Sequence, residues 1–300
     1  MDDRSLPYVL PVGTKVVVRA GGKGVGAVAE IVSSPADQGH AYRVRFNDGG
    51  EGSFLRGELV VLRHFQRDSG ALEIPSTEYD FTKHVIFRCV VGSRAYGLAE
   101  EGSDTDYRGI YLPPADMHWS LFGVPEQVEL DATQEVYWEL EKFLVLALKA
   151  NPNVLECLHT PIVEVATPLA NELLDMRSVF VTKLVYQTYN GYVMSQFKKL
   201  SADLRNKGAV KWKHVMHLIR LLLAGVETLR SGVVPVRVGE EDRERLLRIR
   251  RGDVSWEDVE AWRLRLHEDF DRAFQNTAVR ERPDYERVND FLVRARWSMV

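Results

Sequence analysis

Residues 85–111 read VIFRCVVGSRAYGLAEEGSDTDYRGIY, and the fold of the larger part of the chain turns on them. VIFRCVV is a largely apolar run bounded by glycine, which suits a buried strand. Gly92-Ser93 closes it, a short helical turn is predicted next, and Ser103-Asp104-Thr105-Asp106 leads into a second strand within RGIYLP. Gly92 lets the backbone approach a ligand without a Cβ clash. Ser93 falls where free backbone N–H groups and the positive end of a helix favour an anion. Asp104 and Asp106, two apart on an extended chain, project to one face. Such a like-charge pair is costly unless a divalent cation sits between the carboxylates. A phosphate cradle beside metal-binding carboxylates points to magnesium-assisted phosphoryl transfer from a nucleoside triphosphate. Each part alone is common, since most Asp-x-Asp pairs are solvated turns; the conjunction, in order and between two strands, carries the reading.

Outward from this stretch, a third strand is expected within DATQEVYW (131–138) and a helix within ELEKFLVLALKA (139–150). In that helix Leu140, Phe143, Leu144, Ala147 and Leu148 share a face. Asn151-Pro152-Asn153 ends it, because the residue before proline is pushed out of the helical region. Beyond about Val165 amphipathic helical patterns dominate. Toward the N-terminus, from Leu6 to Leu62, short apolar runs are broken by glycine. Val16 and Val18, then Tyr42, Val44 and Phe46, alternate as half-buried strands do, and Asn47-Asp48-Gly49-Gly50 can form a tight hairpin turn. The expected fold class is multidomain α+β. It comprises a small antiparallel β-barrel over 1–66, a linker over 67–82, a mixed α/β core over 83–165 and a helical substrate-binding domain over 166–300.

With 45% hydrophobic and 27% charged residues, the 300-residue chain can offset the entropy of folding, which excludes intrinsic disorder. It contains no apolar run of about 18 residues, so no spanning helix is expected, and its first residues do not read as a signal peptide. Cys89 and Cys157 are too few for a disulfide scaffold or a Cys-rich zinc site, and a cytoplasmic setting is expected. The net charge of -4 argues against a nucleic-acid partner only while it is averaged over the chain. Between Arg177 and Arg220 nine basic residues face one acid, Asp203, a net of +8. Charge runs are usually solvated faces, but Lys213, His217 and Arg220 recur at i, i+4 and i+7 and share one face of a helix. Tyr186, Tyr189 and Tyr192 on the preceding helix suit a core, or one of them a stacked base. His214 suits a surface position, and Trp212 either core or a stacking platform. His214 and His217 lack a third ligand for zinc, and GSRAYG lacks the strained elbow of a serine hydrolase.

The pattern Gly92-Ser93 with Asp104 and Asp106 resembles the hallmark of the DNA polymerase β-like nucleotidyltransferase superfamily. GSRAYGLAEEGSDTDYRGIY together with YWELEKFLVLALKANPNVLE resembles one branch of it, the nucleotidyltransferases associated with RNA repair. The likeness runs from about Lys83 to the C-terminus and is most specific over 92–111 and 151–156. It implies a compact mixed-sheet core that binds a nucleoside triphosphate and two Mg2+ ions, or Mn2+ in their place. Gly92 and Ser93 would hold the β- and γ-phosphates, and Asp104 and Asp106 the metals. A third carboxylate, Glu135 in preference to Asp131, would help to bind metal and activate the acceptor hydroxyl. Lys213, His217 and Arg220 would face the cleft and contact triphosphate or acceptor phosphates. The implied reaction moves a nucleoside monophosphate to a hydroxyl, most naturally on RNA, and releases pyrophosphate. Nucleotidylation of a protein or small molecule, and a non-catalytic RNA- or protein-binding module, are the alternatives. The first sixty residues resemble SH3-like barrels of the Tudor and KOW kind. Their near-neutral charge offers no electrostatic case for nucleic acid and leaves RNA, a protein partner or the chain's own core open.

Overall fold

The computed structural model describes residues 10, 12–19, 26–35, 40–46, 48–62, 79–121 and 123–300. Asn47 of the expected turn and the expected linker up to residue 78 lie outside the described residues. The chain divides into two compact units, Met1–Thr77 and Glu78–Val300.

In the first unit, alternation produces β1 (Lys15–Val18), β2 (Val28–Ser33), β3 (Tyr42–Phe46), β4 (Glu51–Phe54) and β5 (Leu59–Val61). All pairings are antiparallel, in the order β4-β3-β2-β1-β5. Val16, Val18, Ile31, Tyr42, Val44 and Leu59 form its core. The Tyr42 hydroxyl accepts from the Leu10 amide at 3.0 Å. Among the described residues β4 and β5 do not pair with each other, so the expected barrel is an antiparallel sheet that does not close.

The second unit is built on a mixed sheet in the order β10-β6-β7-β9-β8. Its strands are β6 (Val85–Val91), β7 (Asp106–Tyr111), β8 (Gln127–Leu130), β9 (Glu135–Glu139) and β10 (Val163–Ala166). β6 and β7 are antiparallel, with Val91 opposite Asp106; β7 and β9 are parallel, with Tyr107 opposite Glu135. Gly109 of β7 is required by this packing, because a Cβ there would lie 2.1 Å from the Phe87 carbonyl. The edge strands β8 and β10 escape a sequence reading for a physical reason. Each is only four residues long, so the alternation of Val128 with Leu130 and of Val163 with Val165 is too brief to mark a strand.

The helices are α1 (Gly92–Tyr96), α2 (Ala115–Trp119), α3 (Leu140–Leu148), α4 (Pro152–His159), α5 (Pro168–Asp175), α6 (Leu184–Lys207), α7 (Trp212–Ser231), α8 (Glu240–Arg251), α9 (Trp256–Asn276) and α10 (Tyr285–Trp297). α3 buries Leu140, Phe143, Leu144 and Ala147, the expected face. The Asn151 side chain then caps α4 by accepting from the Asn153 and Val154 amides. α7 buries twelve of its residues and is the central helix of the bundle, packed against α6, α8 and α9. One apolar core runs from Ile86 to Ala295, so the sheet and the helices form a single compact unit rather than two divided near residue 165. Among the described residues no helix is long and apolar enough to cross a membrane.

Candidate active site

β6 ends at Val91, and Gly92 turns the chain with φ +71° into α1. The antiparallel register puts Asp106 directly across from this turn. A Cβ at Gly92 would lie 2.7 Å from Asp106 Oδ2, so glycine serves both the positive φ and the close carboxylate. Arg94 of α1 holds the following loop in place. Its Nη2 donates to the Ser103 carbonyl at 2.8 Å and its Nε to the Asp104 carbonyl at 3.3 Å.

Gly92, Ser93, Tyr96 and Asp106 form one wall of a cavity of about 440 Å³. Its lining also includes Arg108 of β7, Asn153 and Glu156 of α4, Lys211 just before α7, Lys213, His214 and His217 near the start of α7, and Arg250 of α8. Of the residues expected in the site, Gly92, Ser93, Asp106, Lys213 and His217 therefore meet around one space. Asp104 is exposed just ahead of β7 and is not part of the cavity wall.

Glu135 is not brought to Asp106. In a parallel pair, residues directly opposite share a face, and neighbours along a strand alternate. Glu135 thus shares the face of Tyr107, opposite to that of Asp106. There its Oε1 accepts from Arg88 Nη2 at 3.1 Å, its Oε2 accepts from the Tyr137 hydroxyl, and Arg88 also stacks on the Tyr107 ring at 4.0 Å. Asp131, the alternative, is exposed in the turn between β8 and β9.

Arg220 also departs from expectation. It is 2% exposed and does not line the cavity. Its Nη2 pairs with Glu156 Oε1 at 2.8 Å, and its guanidinium lies over the Tyr96 ring at 3.6 Å. The Tyr96 hydroxyl donates to Glu156 Oε2 at 2.6 Å. Burial first, and then the Glu156 charge, push the Tyr96 phenol well above its ordinary range, so it remains a donor. This cluster joins α1, α4 and α7, with Tyr96 and Glu156 also lining the cavity and Arg220 outside the lining.

His217 and His159 are both pushed down to about 4, chiefly by burial; at His217 the Arg220 charge adds to the effect. Both imidazoles are neutral at physiological pH. The unfolded chain takes up protons near pH 6.5 while the folded chain refuses them until about pH 4. Stability is therefore unaffected by these groups above about pH 6.5 and falls as pH falls from there toward 4. A melting temperature measured across this range should show that decline, and His159→Gln, away from the cavity, should make it shallower, while His118, His214, His217 and His267, which burial likewise pushes down, keep the rest. A melting temperature as steep in the variant as in the wild type would contradict this assignment.

Several lining residues carry no local signature in the sequence. Arg250 lies in the mixed-charge helix α8, which reads as a solvated helix. In the structure its Nη1 donates to the Leu98 carbonyl at 2.7 Å, and Arg243 Nε donates to the Gly97 carbonyl at 2.9 Å, pinning α8 to the loop behind α1. Glu156 and Asn153 lie in the NPNVLE stretch, and that stretch was the available signal. His214 is half-buried on the cavity wall, where burial and then Lys211 and Lys199 disfavour its protonation. Trp212 packs against the core and beside Gly252. Tyr189 is fully buried, and Tyr186 packs on Phe270 and Phe274 while its hydroxyl donates to Asp271 at 2.6 Å.

The Bacillus subtilis (strain 168) "Uncharacterized protein YcgL" is 26% identical over 166 residues, which cover 54% of this chain and 63% of that protein. The chain thus matches less than two thirds of that relative's length. A family model described as "RlaP: RNA repair pathway DNA polymerase beta family" matches residues 65–294. That span takes in the whole mixed sheet, the Gly92–Asp106 turn and every helix that lines the cavity. The chain belongs to the RNA repair pathway DNA polymerase beta family of nucleotidyltransferases.

Proposed function

We propose that this protein moves a nucleoside monophosphate from a nucleoside triphosphate to a hydroxyl on RNA and releases pyrophosphate. One observation carries the reading: a cavity of about 440 Å³ is lined by Asp106 beside a Cβ-less turn together with Lys211 and Lys213. That volume lies within the usual range for small-molecule sites, about 300–1,000 Å³. RNA as the acceptor rests on the printed description of the family.

The donor set fits a hard divalent cation. Magnesium is commonly held by one or two carboxylates, with substrate phosphates and water completing its shell. Asp106, with Asp104 two residues before it, offers that many. Among the described residues no group of three His, Cys, Asp or Glu side chains is arranged to hold a metal. With Glu135 on the other face of the sheet, Asp104 and Asp106 are the protein's ligands for one or two magnesium or manganese ions. When bound, such an ion supplies Lewis-acid stabilisation of phosphate charge and a more acidic acceptor hydroxyl.

The chain's own residues then divide the remaining work. Gly92 and Ser93 receive the triphosphate tail. Lys211 and Lys213, which line the same cavity, neutralise it. His217, neutral and mostly buried, gives a hydrogen bond without adding charge. Arg220 acts through Glu156 and Tyr96, holding α7 against the Gly92–Ser93 turn.

Thermal denaturation with each nucleoside triphosphate and magnesium tests this reading. At a hundredfold excess over Kd, binding should stabilise the folded chain by about 2.7 kcal/mol, a shift of several degrees. The shift should be lost in Lys213→Glu. If no triphosphate shifts the wild type in either magnesium or manganese, the reading fails.

A further inference from the structure

Among the described residues of the second unit some basic side chains are paired with acids and others are not, and one group of the unpaired ones leads to the cavity. Arg251 pairs with Glu244 and Asp253, Arg263 with Glu260, Arg294 with Glu172, and Arg296 with Glu139 and Glu141. Lys198, Lys199 and Arg205 on α6, Lys211 in the turn that follows, and Lys213 on α7 have no ion pair among the described residues. A local excess of one sign raises the concentration of anionic partners around it.

Their placement says which kind. The buried face of α6 carries Val185, Tyr189, Val193, Phe197 and Leu200, which leaves the other side of the helix to solvent. Lys198 and Arg205, seven residues apart, share that exposed side. Lys199 falls seven residues after Tyr192, which is 40% exposed. Lys199 and Lys211 both act on His214, and Lys211, His214 and Lys213 line the cavity. α6 ends at Lys207 and α7, packed against it, begins at Trp212, so the cations near the end of α6 lie beside the turn that brings Lys211 to the cavity. Spaced cations with an exposed aromatic ring, leading into a cavity, match how single strands are held through phosphates and stacked bases.

We infer that the exposed face of α6, from Tyr192 through Lys198 and Lys199 to Arg205, is the docking surface for a single-stranded RNA whose end enters the cavity past Lys211. This rests on the proposed nucleotidyl transfer to RNA and adds where the acceptor lies. The phosphodiester backbone pairs with Lys198, Lys199 and Arg205, and a base stacks on Tyr192.

The test uses the full chain and a fluorescein-labelled single-stranded RNA, followed by anisotropy between about 50 and 200 mM salt. Lys198→Gln/Lys199→Gln/Arg205→Gln should bind at least about tenfold more weakly near 0.1 M salt. Its plot of log affinity against log salt should be shallower by about 0.7 for each phosphate no longer neutralised. Its thermal shift with triphosphate and magnesium should match the wild type, which separates this surface from the cavity. Wild-type affinity and salt slope in the triple variant would overturn the docking surface and leave the cavity reading intact. Displacement of the RNA by polyglutamate at equal charge would also overturn it, in favour of an acidic protein partner. Loss of the triphosphate shift in the wild type would instead remove the reading on which it rests.

Discussion

Asp106→Asn is expected to fold normally and to lose turnover by a factor on the order of 10²–10³ or more, the scale seen when a transition-state charge partner is removed. Asn keeps the size of the side chain and its place opposite Val91, so the packing of β6 on β7 should survive. What disappears is the charge that a hard cation requires, 2.7 Å from where a Gly92 Cβ would stand. Asp104→Asn should cost less, because Asp104 is exposed and off the cavity wall. Steady-state kinetics with circular dichroism on each variant would check both. Equal turnover in Asp106→Asn and the wild type would remove Asp106 from the machinery.

The second large effect is on stability and belongs to the Glu156–Arg220 pair. Both side chains are almost fully buried, at 3% and 2% exposure. Breaking such a pair from one side leaves an uncompensated charge, and costs about 3–5 kcal/mol. Arg220→Met strands the Glu156 carboxylate with only the Tyr96 hydroxyl, and Glu156→Leu strands Arg220, whose Nε and Nη1 already lack an acceptor among the described residues. The double variant Glu156→Leu/Arg220→Met should recover most of the lost stability, because two matched apolar groups replace the pair. It should not recover activity, since Tyr96, and with it the Gly92–Ser93 turn, would no longer be tied to α7. Urea denaturation of the two single variants and the double measures the coupling directly. Additive losses would show that the two side chains do not act as a unit.

The parts of the site that were legible in the sequence are those decided by local geometry. Gly92, Ser93 and Asp106 sit at a strand end and a strand start, where sequence order alone sets their neighbours. Lys213 and His217 follow from helical periodicity. Arg220 shows the limit of periodicity, which assigns a face but not a depth: it shares that face yet lies one turn deeper, against a carboxylate from another helix. Glu135 shows a second limit. Its end of the sheet was legible, but which face it takes depends on the parallel register, a one-residue choice that flips every side chain. Arg250 and Arg243 reach backbone carbonyls far away in sequence, and nothing in a mixed-charge helix marks such contacts. Closure of the N-terminal sheet depends on pairing between β4 and β5, which alternation within each strand does not specify.

The central claim is that the cavity between Asp106 and Lys213 carries nucleotidyl transfer. Its most direct test follows a triphosphate labelled in turn at the α- and γ-phosphate, incubated with the full chain, magnesium and single-stranded RNA. The account predicts α-label covalently attached to RNA, γ-label released in pyrophosphate, and neither outcome in Asp106→Asn. Gamma-label attached to the RNA, or inorganic phosphate released with no α-label transferred, would contradict it.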